Sequence, residues 1–156
     1  MLYCDWTKRD SLLVSKDDFE NDLNNNYRKL SGFGVTKKDA AYFLPPYEWY
    51  NDSIAAWTKA LGLQLINFTH GTLSNADYTT PDMKNYRSSE TILSSLKNYE
   101  IRNKDGFNGF ILLLHIGTDP KRTDKLYRHL PAIIRSMHDK KYLFKRIDEL
   151  LDPKKG

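Results

Sequence analysis

The feature that most constrains the fold is an unbroken run of large apolar residues at 110–114, inside the segment 109–116. A strand with one wet face alternates apolar and polar residues, so a continuous run predicts a strand that is buried on both faces. Strands of that kind are typical of parallel sheets, whose crossover helices cover both faces. The run therefore predicts an α/β fold with a parallel sheet.

Helical and extended patterns alternate along the rest of the chain. Residues that favour the first turn of a helix mark four helix starts. They are Ser15, Asn51, Ser88 or Ser89, and Pro131. Further short apolar runs predict strands at 40–44, 63–68 and 142–144. Regular alternation of this kind predicts βαβ units with right-handed crossovers.

The composition narrows the class of protein. With 156 residues, 40% of them hydrophobic and 28% charged, the chain has the length and make-up of one globular domain. The net charge of +4 comes from basic residues spread along predicted helices, which we interpret as a solvated face and not as a nucleic-acid interface. Examples of these basic residues are Lys121, Arg122, Lys125 and Arg128.

Two further observations argue against a membrane-spanning segment and against disulfides or cysteine-rich zinc sites. No apolar run approaches the roughly 20 residues that span a membrane. The single cysteine, Cys4, allows no internal disulfide and no cysteine-rich zinc site, and we interpret it as a small buried or terminal residue. No pattern in the sequence indicates a compartment.

In a parallel sheet or barrel, functional groups collect where the strands end and lead into the next helix. This rule selects three places: the loop 45–51, the stretch 67–78, and His115 with the loop behind it. A polar stretch as long as 69–87 inside a compact domain is itself typical of a functional loop. If the strands are parallel, all three places lie on one rim.

His115 is the candidate catalytic residue. It ends the apolar run, so its imidazole should be partly desolvated at the rim, where histidine can transfer protons near neutral pH. The alternative, a core histidine hydrogen-bonded to a backbone carbonyl, is equally open. We expect His70, His129 and His138 to be exposed. No two histidines have the spacing of metal ligands, so no metal site is predicted within this chain.

An aromatic cluster of Tyr47, Trp49 and Tyr50 follows Pro45 and Pro46. Sugar rings present flat C–H faces that pack on aromatic rings, so the cluster is a candidate carbohydrate platform. Because side chains alternate along an extended chain, we expect Tyr47 to face the site and Trp49 to face the protein body. The other interpretation, packing between helix and sheet, applies to at least one of the rings.

At these positions the sequence resembles the polysaccharide deacetylases of carbohydrate esterase family 4, the NodB-homology group. Residues 44–47, Leu-Pro-Pro-Tyr, stand where that family has Arg-Pro-Pro and an aromatic residue, and residues 113–115 match its Leu-x-His motif. The family's closing pattern, a helix begun by Leu-Pro and then Tyr-x-Phe, matches 130–144. The resemblance covers about 19–151 and implies a partial irregular (β/α) barrel, with parallel strands alternating with helices.

The resemblance also implies a function, the removal of N- or O-acetyl groups from a carbohydrate. It implies that His115 is the general acid that protonates the leaving amine or alcohol, and that Leu113 lines the pocket for the acetyl methyl. The other implied substrate-binding residues are Tyr47, Pro46, Trp49 and Asp77. In the complete family domain, a divalent metal such as zinc supplies the attacking water.

The departures from the family concern that metal. The family's Asp pair and His-x-x-x-His motif both precede the proline motif, and no histidine precedes Leu44 here. Leu44 also stands where the family has an arginine that orients the base. We interpret 1–14 as an N-terminal segment at a truncation point, 15–151 as the carboxyl-terminal part of the barrel, and 152–156 as a frayed tail. The chain alone is then expected to lack the metal and to be inactive.

Two other functions stay open at this stage. Leu44 and the enlarged polar loop favour a noncatalytic carbohydrate-binding module or pseudoenzyme, and a basic nucleic-acid-binding domain ranks behind both. The expected partner is a carbohydrate, with no nucleic acid and no membrane. An incomplete barrel also leaves unpaired edges, so we expect copies of the chain to associate and complete each other's sheet.

Overall fold

The computed structural model describes residues 1–151, so the predicted frayed tail 152–156 lies outside the described residues. The chain divides after Asn67 into two units, Met1–Asn67 and the part that begins at Phe68. Each unit has its own helices and its own buried cluster, and each is described by itself.

The two helices of the first unit begin where capping chemistry predicts. Helix α1 spans Lys16–Ser31, and Ser15 and Asp18 form a reciprocal capping box at its start. Helix α2 spans Asp52–Ala60, and the Asn51 side chain accepts a hydrogen bond from the Ile54 amide at 3.1 Å. These contacts confirm both predicted helix starts.

A short parallel sheet flanks α2 in the sequence. Strand β1 is Tyr42–Phe43 and strand β2 is Gln64–Leu65, with Tyr42 opposite Gln64 and Phe43 opposite Leu65. The order β1, α2, β2 is a βαβ unit, which confirms parallel pairing for the first two predicted strands. The wider partial barrel stays a prediction.

The interior of the first unit is apolar and rich in rings. Its buried cluster consists of Tyr3, Phe19, Leu23, Ile54 and Leu63. The Tyr3 and Phe19 rings meet edge to face, with centroids 5.0 Å apart. The amphipathic stripe of α1 thus packs on the segment before it and on α2. Cys4 is buried, which agrees with its interpretation.

The described part of the second unit contains three α-helices: α3, Ser89–Arg102; α4, Leu130–Asp139; and α5, Ile147–Leu151. Ser88 caps α3 and Pro131 lies in the first turn of α4, as predicted. The buried cluster here is smaller and consists of Ile92, Leu96 and Leu126. Among the described helices of the whole chain, none combines the length and the apolar character that crossing a membrane requires.

The predicted strands at 109–116 and 142–144 are wrong, since neither segment is a strand in the described structure. A strand needs a backbone ladder, but the backbone hydrogen bonds of 110–114 are a turn bond from Phe110 to Phe107 and the contacts of Ile111 with Thr69. Leu112 and Leu114 pack on the α3 cluster instead. In 142–144, Leu143 is 79% exposed. Apolar character alone therefore did not decide pairing.

Candidate proton-transfer site

The centre of the candidate site is the contact between Asp77 and His115. One carboxylate oxygen, Oδ1, lies 2.6 Å from the ring nitrogen Nδ1 of His115. The other, Oδ2, accepts a hydrogen bond from the backbone amide of the same histidine at 2.7 Å. Because a carboxylate only accepts hydrogen bonds, Nδ1 carries the hydrogen and Nε2 is the nitrogen that can exchange a proton.

Burial separates the roles of the two side chains. The side chain of Asp77 is 0% exposed and that of His115 is 33% exposed. A ligand can therefore reach the imidazole but not the carboxylate. The Tyr78 ring, itself half-exposed, stands edge-on to the imidazole with centroids 5.7 Å apart. The His115 ring is paired with a carboxylate and not with the backbone carbonyl that the alternative interpretation expected, and its catalytic role stays a prediction.

The local fold explains how the pair meets. Asp77 lies in the 3-10 helix Ser74–Tyr78. Leu73, the residue before this helix, has a left-handed backbone conformation with φ of 59°. The segment that leads to His115 is fixed to the start of the same loop, because Thr69 donates its amide to the Ile111 carbonyl at 2.9 Å. The long polar stretch 69–87 is therefore held in place by contacts at Thr69 and at Asp77.

The structure places one predicted site residue away from solvent. Both oxygens of Asp77 bond to His115 and its side chain is 0% exposed. Its predicted role in substrate binding stays a prediction. Leu113 is half-buried beside His115, and its place in an acetyl pocket stays a prediction. The predicted exposure of His70, His129 and His138 is confirmed.

A buried arginine was missed by sequence reasoning. Arg122, expected on a solvated face, is 0% exposed, so that prediction is wrong for this residue. Its Nη1 donates to the backbone carbonyls of Thr79 at 2.7 Å and Arg87 at 3.0 Å. Its guanidinium also lies 5.4 Å from the centre of the Tyr86 ring. No spacing in the sequence reveals this contact, because the loop itself supplies the acceptors.

Asp124, whose side chain is 36% exposed, borders this buried polar region. Burial acts to raise the pKa of its carboxyl, but hydrogen bonds from Ser89 and the nearby charge of Arg122 outweigh it. The net result is a pKa below the ordinary aspartate value. The carboxylate accepts from the Ser89 amide in the first turn of α3, where a negative charge is also favoured by the helix dipole.

The predicted aromatic residues lie in the first unit. Tyr47 is 62% exposed and Trp49 is half-buried, with its ring nitrogen donating to the Asp5 carbonyl at 3.0 Å. Tyr47 is thus exposed and Trp49 only partly buried, and the expectation that Tyr47 faces the site stays a prediction. Trp6, which the sequence did not single out, is 53% exposed and meets the Tyr47 ring edge-on, with centroids 5.7 Å apart. Pro46 begins the 3-10 helix Pro46–Glu48 beside them.

The backbone under this aromatic pair is strained. Tyr47 and Glu48 are consecutive residues with φ of 60° and 55°, a region that side chains other than glycine rarely occupy. The Asn67 side chain donates to the Glu48 carbonyl at 2.9 Å and supports the turn. Since Tyr47 belongs to the first unit and His115 to the second, their predicted common rim stays a prediction.

The described residues do not fit the divalent metal that the resemblance implies. Within 1–151 there is no group of three or more His, Cys, Asp or Glu side chains arranged to hold a metal ion. No known protein-family model matches the chain, and no curated protein matches it significantly. The resemblance to polysaccharide deacetylases therefore depends on the short motifs alone.

Proposed function

We propose that this chain carries the proton-transfer part of a carbohydrate deacetylase, with His115 as the general acid and Asp77 as the residue that positions it. The observation that carries the proposal is the two-point contact, in which one buried carboxylate holds both the ring and the backbone of His115. Such an arrangement resembles the acid-oriented histidine of hydrolytic sites in general.

The chemistry follows from the fixed tautomer. When an acetyl group leaves a sugar nitrogen or oxygen, the bond from the acetyl carbon to that atom breaks and the atom needs a proton. The protonated Nε2 of His115 can supply it, and the buried Asp77 carboxylate stabilises the imidazolium before transfer. A positioned general acid typically contributes 10²–10⁴-fold to rate.

The metal-dependent step is not assigned to this chain. Since the described residues 1–151 form no group of metal ligands, the proposal leaves the metal-dependent step to residues outside this range. The chain by itself is then expected to release no acetate from acetylated chitooligosaccharide or xylan, even with added zinc. Robust acetate release by the chain alone would refute the proposal that its catalytic site is incomplete.

The decisive experiment combines sequencing of the region upstream of Met1 with kinetic assays of acetate release. The coding sequence upstream of Met1 is determined, and the protein that includes it is assayed for acetate release. We expect His115→Asn and Asp77→Asn each to lower kcat at least 100-fold with little change in KM, while His70→Asn, an exposed histidine of the same unit, changes neither. Full activity in His115→Asn would end the proposal.

A noncatalytic carbohydrate-binding role is the second candidate, and one observation favours it. Trp6 and Tyr47 expose two adjoining rings. The turn that carries Tyr47 is strained by about 1–3 kcal/mol per residue, which is typical of functional sites. Calorimetric titration with a chitooligosaccharide tests this role. Trp6→Ala and Tyr47→Ala should each weaken binding at least tenfold, whereas Phe33→Ala, also exposed, should not. Equal affinity in all variants, or no binding by the unaltered chain, would exclude it.

A further inference from the structure

We propose that Arg122 is the residue that positions the Asp77–His115 pair, by fixing the backbone of the loop segment that carries Asp77. The inference rests on the proposed function only for its catalytic meaning. The geometric claim, that a buried guanidinium determines the place of the Asp77 carboxylate, can be tested without any activity.

The first step of the argument is that Arg122 closes the loop 79–87. Its Nη1 donates to the carbonyls of the two residues that bound this stretch, Thr79 at 2.7 Å and Arg87 at 3.0 Å. The same two residues are also bonded to each other, since the Arg87 amide donates to the Thr79 hydroxyl at 3.3 Å. One side chain therefore holds both ends of the loop together.

The second step leads from Thr79 to the carboxylate. Thr79 donates twice to the Ala76 carbonyl, from its amide at 3.0 Å and from its hydroxyl at 2.6 Å. These bonds close the end of the 3-10 helix in which Asp77 lies, two residues before Thr79. A shift of the Thr79 carbonyl would therefore be transmitted to Asp77 and would lengthen its contact of 2.6 Å with the imidazole.

The third step concerns the type of residue. A guanidinium is planar and presents several donors in a fixed arrangement, which lets Nη1 serve two carbonyls while Nη2 lies 3.4 Å from the Ser89 hydroxyl. A lysine ammonium at the end of a flexible stem cannot impose the same geometry. The side chain is fully buried and its Nε has no hydrogen-bond partner among the described residues.

This unpartnered donor argues for positioning over stability. Burying a charge is costly, and apolar side chains of similar volume often stabilise a fold as well or better. The guanidinium of Arg122 also pairs with the Asp124 carboxylate at 3.8 Å, and beyond that charge it supplies a directional hold on two backbone carbonyls. We therefore assign its burial to the geometry of the neighbouring acid–histidine pair.

The experiment observes the imidazole directly. The full chain is labelled with ¹⁵N-histidine, and the ring nitrogen shifts of His115 and the exchange rate of its Nδ1 hydrogen are measured by NMR. The unaltered chain should show the Nδ1–H tautomer with slow exchange. Arg122→Gln should speed exchange at least tenfold and mix the tautomers, and Arg122→Lys should lie between the two.

Lys125→Gln is the matched control. Lys125 is a neighbouring cation that also donates to backbone carbonyls, but its acceptors belong to Thr118 and Asp119, outside the loop 79–87. It should leave the His115 signals unchanged. A folded Arg122→Gln with the same Nδ1–H signal as the unaltered chain would overturn the proposal.

Thr79→Val keeps the test decisive if Arg122→Gln does not fold. This change removes the hydroxyl bonds at Thr79 but keeps its carbonyl and its shape, and it should also speed exchange of the His115 Nδ1 hydrogen at least tenfold. A folded Thr79→Val with unchanged His115 signals would equally overturn it. If the signals respond but the upstream-extended protein releases no acetate, positioning by Arg122 holds and the deacetylase proposal fails.

Discussion

The interiors of the two units are built from different chemistry. Buried side chains of the first unit are mostly rings and aliphatic groups, with Asn51 and Thr58 as the polar ones. In the described part of the second unit, buried polar side chains outnumber buried apolar ones. These polar residues are Thr72, Ser74, Asp77, Thr79, Thr80, Ser89 and Arg122.

The difference indicates what each kind of interior contributes, stability in one case and the precise positioning of atoms in the other. Apolar burial is non-directional, so it stabilises a fold without fixing individual atoms to a fraction of an ångström. Hydrogen bonds in a buried network are directional and strengthen in a low dielectric, so they hold particular atoms in place. The unit that contains His115 has the interior that fixes positions. The other unit has an interior of rings and aliphatic groups, and we expect it to contribute more to resistance against unfolding.

The largest expected effect is on the ring cluster. Phe19 is 0% exposed and contacts the rings of Tyr3, Phe43 and Trp57. Phe19→Ala should lower the free energy of unfolding by about 3–5 kcal/mol, because it removes apolar burial and leaves a cavity. Urea denaturation measures this loss. Phe33→Ala should change it by less than about 0.5 kcal/mol. Similar losses in both variants would mean that the cluster is not the centre of stability.

One buried threonine in each unit allows the two interiors to be compared by the same substitution. The Thr58 hydroxyl donates to the Ile54 carbonyl within α2, where the helix already supplies a bond, so Thr58→Val should cost less than about 1 kcal/mol. Thr79→Val leaves the Arg87 amide without its acceptor and should cost about 1–3 kcal/mol. Urea titrations of both variants give the comparison. Equal costs would remove the distinction between the interiors.

The smallest effect is the pH dependence that Asp124 contributes in the second unit. The pKa of Asp124 is lowered in the folded chain, so its contribution to stability is fully present above the ordinary aspartate pKa and is lost as pH falls through the lower, folded value. Below about pH 4 the unaltered chain should therefore lose stability that Asp124→Asn does not lose, by about 1 kcal/mol or less for one partly exposed hydrogen-bonded group. Thermal unfolding between pH 3 and pH 7, with Asp17→Asn as control, measures the difference. Parallel curves would contradict it.

The sequence predicted what depends on neighbouring residues. The caps at Ser15, Asn51 and Ser88 are local, because each side chain bonds to an amide within three residues, and all three starts are confirmed. The pairing of β1 with β2 also followed from short apolar runs around one helix.

What the sequence could not predict depends on distant partners. The run 110–114 has strand composition, yet a strand exists only if another strand is placed beside it. Asp77 and His115 are 38 residues apart, and Arg122 meets Thr79 over 43 residues. Both contacts arise from how one long polar loop folds, and no periodicity encodes that path. The position of His115 at the end of the run was the one available signal.

The two hydrogen bonds of the Asp77 carboxylate also determine which ring nitrogen of His115 is free to exchange a proton. Because one oxygen is occupied by the main chain of His115 and the other by its ring, and because the whole carboxylate is enclosed, water finds no acceptor on the inner side. A hydrogen ion that leaves this imidazole can depart only from the outer nitrogen. Under the proposed function, the resting chain therefore already sets the nitrogen through which His115 would release its proton.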